Sequence, residues 1–98
     1  MLIPQNIVDE AKEEFGQRAI EIIVEDLKIQ EFNDKTLTGI CPFHEENTPS
    51  FRWNSEDNYF HCFGCGLIYG IIDHYIEFYS MTYTEAVAKL LADVNSDY

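Results

Sequence analysis

Three cysteines and one histidine fall into two pairs of identical spacing, Cys41-x-x-His44 and Cys62-x-x-Cys65, separated by 17 residues. Zinc in structural sites takes four tetrahedral nitrogen and sulfur ligands, and ligands two residues apart let one tight turn hold the ion from each side. Cys41-Pro42-Phe43-His44 is the first such turn, and Cys62-Phe63-Gly64-Cys65-Gly66 is the second. Gly64 and Gly66 allow the second turn to curl so that its amides approach the sulfurs. His61 is the rival imidazole, but it neighbours Cys62 on a predicted strand and points to the opposite face. His44 is therefore the expected fourth ligand. Four protein ligands leave no open coordination position, so one structural Zn²⁺ is expected rather than a catalytic metal.

No other group of residues suggests chemistry. The sequence holds no Ser/His/Asp arrangement, no phosphate-cradling glycine loop and no clustered metal-binding carboxylates. Asp73 and Glu77 are four apart on a predicted helix and read as a solvated face. His74, on the same helix, reads as an ordinary surface or packing histidine. No catalytic site is expected within this chain.

The elements that must position the ligands follow from periodicity. Pro4 suits the start of a helix over residues 4–14, with Ile7, Val8 and Ala11 on one face. Gly16 is expected to interrupt it before a second helix over 17–26, with Ala19, Ile20, Ile23 and Val24 at helical spacing. Residues 27–40 alternate around Asn33-Asp34 and predict a hairpin. Residues 50–54 and 59–62 predict two strands joined by the polar turn 55–58. From Tyr69 the period becomes helical, with Ile72, Tyr75, Ile76 and Tyr79 on one face. Thr82 and Glu85 form a capping box for a last helix whose stripe is Ala86, Val87, Leu90, Leu91 and Val94. The expected fold is α+β. It is a zinc ribbon with a small antiparallel sheet, flanked by two N-terminal and two C-terminal helices, forming a single domain over 1–98 with its ribbon core at 36–66.

Composition fits that picture with one tension. The 98 residues are 46% hydrophobic and include seven Phe, six Tyr and one Trp, enough for a modest core. Domains of this size bury limited apolar surface, so metal binding would supply folding free energy. Three cysteines in ligand-spaced pairs suit a reducing compartment better than disulfides. The chain lacks the basic start and long apolar run of a signal peptide, and no stretch is long enough to span a membrane. The expectation is a cytoplasmic protein. The net charge is −12, from eighteen acidic and six basic residues. Residues 1–34 and 35–98 each hold nine acidic and three basic side chains. Nucleic-acid binding normally leaves a basic footprint, and composition shows none.

The residues around the ligands carry a resemblance. Ile40-Cys41-Pro42-Phe43-His44-Glu45-Glu46-Asn47-Thr48-Pro49-Ser50-Phe51, followed by Tyr59-Phe60-His61-Cys62-Phe63-Gly64-Cys65-Gly66, resembles the N-terminal zinc-binding domain of bacterial and phage DnaG-type DNA primases. The Ile-Pro start and the Thr82-Tyr83-Thr84-Glu85-Ala86-Val87 segment are similar to the family as well. The resemblance implies a domain that contacts single-stranded template DNA and assists RNA primer initiation in DNA replication. It implies a separate Toprim-type catalytic domain, in cis or in trans, and a replicative helicase complex as further partner.

Single strands bind aromatic platforms beside cations. On that basis Arg52, Lys28 and Lys35 are candidate phosphate contacts, and Trp53, Tyr59 and His61 candidate base-stacking groups. Phe51 and Trp53 share a strand face opposite Arg52, and the alternative for that pair is core beneath the helices. Three positions depart from the family's common pattern. Asn47 stands where Lys is frequent, and Glu56-Asp57 where basic residues are. Leu67-Ile68-Tyr69-Gly70 replaces a Gly-Gly-Asp continuation. The first two remove positive charge from the expected DNA side. The alternative function is a primase-derived protein-interaction module with little intrinsic DNA binding.

Overall fold

A computed structural model describes residues 3–45 and 47–95. Met1, Leu2, Glu46 and Ser96 to Tyr98, which the resemblance or the expected domain span takes in, lie outside the described residues. Within them are three helices and one four-stranded sheet.

The N-terminal region is one helix, α1 (Gln5–Leu27), rather than the expected pair. Gly16 does not break it, because a single glycine costs a helix only about 1 kcal/mol and burial on both sides outweighs that. Val8, Ala11, Phe15, Ala19 and Ile23 recur every three or four residues and are all buried. Gly16 is buried too, and a Cβ there would lie 3.3 Å from the Asn58 side-chain oxygen. The glycine thus admits the tip of the 55–58 turn. Just past its last turn α1 stops on Lys28, in the left-handed region at φ 52. The Ile29 N–H donates to Val24 and the Lys28 N–H to Glu25. This pair of bonds satisfies carbonyls that the helix end would otherwise leave unpaired.

The expected hairpin over 27–40 is present in shortened form, its arms joined by backbone bonds from the Asn33 N–H to Thr38 and from the Ile40 N–H to Gln30. The Asn33 side-chain oxygen accepts from the Lys35 and Thr36 amides, and one bridge joins Asn33 to Thr38. A longer ladder is prevented because α1 runs through Leu27, while Lys28 and Glu31 both have positive φ. On its other edge Thr38–Gly39 (β1) pairs with Phe51–Asn54 (β2), which pairs with Tyr59–Cys62 (β3). Ile68–Gly70 (β4) completes the antiparallel order β1-β2-β3-β4. β4 occupies the stretch that departs from the family's common pattern.

Register assigns the two sheet faces. Phe51 faces Cys62, Trp53 faces Phe60, and Phe60 faces Tyr69, all on the inner side. Phe51 and Phe60 stack at 4.5 Å between ring centres. These residues join the buried side chains of α1 in one core cluster. Ile71–Phe78 (α2) and Tyr83–Asn95 (α3) contribute Ile71, Ile72, Tyr75, Ala86, Val87 and Leu90 to it. The capping box of α3 forms as the sequence predicts: Glu85 Oε1 accepts the Thr82 N–H at 2.9 Å, and Thr82 Oγ1 the Glu85 N–H at 3.2 Å. Among the described residues no helix is long and apolar enough to cross a membrane.

Candidate functional site

Two turns meet where the sheet begins and ends. Cys41 lies two residues past the short β1 segment and Cys62 closes β3, with Cys65 in the turn leading to β4. The β2–β3 hairpin folds these positions together, so the 17 residues between His44 and Cys62 act as a clasp. The donor atoms of Cys41, His44, Cys62 and Cys65 all lie within 4.8 Å of one another. Cys62 Sγ is 3.9 Å from His44 Nδ1 and 3.6 Å from the Ser50 hydroxyl. The Cys65 amide donates to the Cys62 sulfur at 3.4 Å.

The donor set fits zinc. Soft sulfur with one imidazole is the combination that selects this ion. Three sulfurs in one small space also disfavour ionisation without a cation. Burial, with the nearby Cys62 and Cys65 sulfurs, pushes the Cys41 thiol up to about 12, against a weaker opposing bond from the Phe43 amide. Burial acts on Cys62 in the same direction, but the Cys65 amide, the Ser50 hydroxyl and the Gly64 amide together outweigh it and hold the thiol down at about 7. The second turn is thus built to stabilise a thiolate. It does so with backbone N–H groups that the glycine-containing turn makes available.

The other predicted site residues separate into groups. Arg52 lies opposite Thr38 on one side and His61 on the other, and His61 lies opposite Ile68. Tyr59 shares this outer face, paired with Asn54, and its hydroxyl donates to Asp57 at 3.4 Å. Lys35 and Arg52 line one groove of about 790 Å³. Arg52 and His61 line a second, of about 440 Å³, together with Phe63. Lys28 is not with them, and lines a groove beside Cys41 and His44. Trp53 is only 5% exposed and packs edge-on against Phe60. Phe51 and Trp53 therefore follow the core alternative, because strand alternation turns both inward.

Two features escaped sequence reasoning. Phe63 is 67% exposed, with its ring 4.5 Å from that of His61. Its position between two ligands of a two-residue turn was the available signal, since such a residue has no interior to enter. The second feature is around His74, which is 0% exposed. Its Nδ1 lies 2.7 Å from the Tyr69 hydroxyl and its Nε2 2.8 Å from Asp26 Oδ2. The Tyr79 hydroxyl also donates to Asp26. Burial raises the Asp26 carboxyl, but the bonds from Tyr79 and His74 outweigh it and leave the group below its ordinary value. The network ties the end of α1 to β4 and α2. Asp73, read as solvated, caps α2 by accepting the Gly70 N–H at 2.9 Å.

Comparison with known proteins agrees with this geometry. The chain is 32% identical to the DNA primase of Listeria monocytogenes over 88 residues, which are 90% of this chain and 14% of that protein. It is 35% identical over 89 residues to the DNA primase of Buchnera aphidicola, covering 91% of this chain and 15% of the relative. Against the Escherichia coli DNA primase it is 41% identical over 58 residues, 59% of this chain and 10% of the relative. The chain thus spans only a small part of the length of these relatives. The profile of the CHC2 zinc finger, a DnaG zinc ribbon, matches residues 3–98. With its Cys-His-Cys-Cys group gathered at the ends of the sheet, the chain carries one structural zinc and belongs to the CHC2 zinc finger family.

Proposed function

We propose that this chain is a template-contacting zinc domain of a DNA primase, assisting the start of RNA primers. Cys41, His44, Cys62 and Cys65 are the ligands of its zinc, and the ion has a structural role because the four side chains complete its sphere. Residues 1–98 act as one unit and work with a Toprim-type catalytic domain, in cis or in trans, and with the replicative helicase complex.

The observation that carries the template role is the outer face of the sheet. Arg52 stands opposite His61, and exposed Phe63 lies against the His61 ring. A cation beside unburied rings is the arrangement that single strands use, with phosphate on one and a base stacked on the other. Lys35 extends the cationic side through the groove it shares with Arg52. Glu31 and Glu56 border the same two grooves. Affinity is therefore modest and depends on low salt.

Titration of a labelled single-stranded oligonucleotide into the zinc-loaded chain, over a series of salt concentrations, tests this. R52A is expected to reduce the slope of log affinity against log salt by about 0.7, the value for one lost phosphate contact on a single strand. F63A is expected to cost about 1–3 kcal/mol with the slope unchanged, as loss of a stacked base does. Absence of binding at low salt, or binding indifferent to both substitutions, refutes template contact by this face.

A further inference from the structure

One groove has a character opposite to the Arg52 face. Between α1 and the 32–37 turn lies a depression of about 520 Å³, floored by Val24, Phe32 and Leu37. Those three are partly buried against the core, so their remaining surface is open to solvent. Exposed Glu21, Glu25 and Asp34 form its rim. No Lys or Arg is among its lining residues.

None of the chain's six cations lines this groove, and most are engaged or placed elsewhere. Arg18 lies over the Phe15 ring and donates to the Asp93 carbonyl, and Lys89 pairs with Asp93. Lys28 borders the metal-site groove, and Lys35 borders the Arg52 groove.

The rim also works against its own helix. Glu21 and Glu25 are a like-charged pair four residues apart on exposed positions of α1. Such pairs destabilise a helix, and an acid in the last turn opposes the helix dipole. Among the described residues the last turn of α1 holds no basic side chain, and the cation next in line is Lys28 at the C-cap, which borders a different groove. An apolar floor ringed by carboxylates is matched by a ligand that brings apolar groups and the opposite charge.

We infer that this groove docks a basic amphipathic helix of a partner protein, its apolar residues on Val24, Phe32 and Leu37 and its Lys or Arg side chains on Glu21, Glu25 and Asp34. Charge complementarity selects this occupant. Nucleic acid and anionic lipid are repelled by the rim, and a second copy of a chain with net charge −12 is repelled as a whole. Laying an apolar helix face into such a groove is an established mode of peptide recognition.

The test uses the zinc-loaded full chain without DNA, so that its outcome is independent of the template reading. The probe is a peptide of about four helical turns made of Lys and Leu, with the leucines on one face. Amide NMR shifts are expected to cluster at Glu21, Val24, Glu25, Phe32, Asp34 and Leu37. The double substitution E21K/E25K is expected to weaken binding at least about tenfold, because it sets like charges across the interface. Val24→Ser is expected to weaken it about fivefold through lost apolar contact, and it supplies an independent reading if the double variant fails to fold. Three results overturn the inference. A Lys/Gln peptide of equal charge could bind as tightly, shifts could spread over the whole acidic surface, or both substitutions could leave affinity unchanged.

Discussion

His74 Nε2 sits 2.8 Å from Asp26 Oδ2, joining residues 48 positions apart in a chain of 98. The imidazole has no solvent exposure and the carboxylate is mostly covered, at 24%. Tyr69 completes the bonding of the ring and Tyr79 that of the carboxylate. A polar contact so enclosed orients α2 against the end of α1, because each partner would be left unsatisfied by any other packing.

Removing the charge from Asp26 tests that role. D26N is expected to destabilise the protein by about 1.5–3 kcal/mol at neutral pH, the scale of a hydrogen bond to a charged group. The folded carboxyl lies below its ordinary value of 3.8. Its contribution is therefore complete above pH 3.8 and is lost as pH falls through the lowered folded value. In urea unfolding the gap between wild type and D26N should stay open at neutral pH and close only in strong acid. A gap already closed at neutral pH would show that the pair contributes nothing.

Proton competition should govern the metal. Burial and neighbouring sulfurs keep the Cys41 thiol protonated up to about 12 when no cation is near, so zinc must displace that proton to bind. Zinc affinity measured by chelator competition should rise with pH across the neutral range. Cys65→Ser should bind zinc far more weakly and unfold at lower temperature. Full-affinity zinc and unchanged thermal stability in that variant would rule out the four-ligand assignment.

The buried glycines Gly16 and Gly39 should respond differently to alanine. A Cβ on Gly39 would lie 2.6 Å from Ile29 Cγ2 and 3.3 Å from the Gln30 carbonyl. G39A should therefore cost about 1–3 kcal/mol, the usual penalty of overpacking. At Gly16 the one close neighbour among the described residues is the end of the Asn58 side chain, at 3.3 Å. Helix propensity favours alanine there by about 1 kcal/mol, so G16A should be near neutral. Thermal unfolding of the two variants decides the matter.

Lys28 holds a left-handed conformation that costs a non-glycine residue about 1–2 kcal/mol. Lys28→Gly should relieve part of this and raise stability by about 1 kcal/mol, provided the Ile29 and Lys28 amide bonds to α1 persist. A chemical denaturation midpoint that falls instead would mean that the lysine side chain contributes more to the helix end than its backbone costs.

The metal pairs, the two central strands and the last helix were legible in the sequence because each rests on local rules. Ligand spacing, strand alternation and the Thr82–Glu85 cap all act within a few residues. The same alternation placed Phe51 and Trp53 on one face and Arg52 on the other, as the register confirms. Tertiary packing decided what local rules leave open. Burial of both flanks of α1 carried it through Gly16, where glycine on its own suggests a break. β2 took the second edge of Thr38–Gly39, so the segment expected only as one arm of a 27–40 hairpin became a strand of the central sheet while still bonding back to Gln30 and Asn33. Contacts distant in sequence also buried His74 with Asp26 and set an acidic rim around an apolar floor. Spacing is a property of the chain and can be read from it. Burial and electrostatic company arise only when separated segments meet.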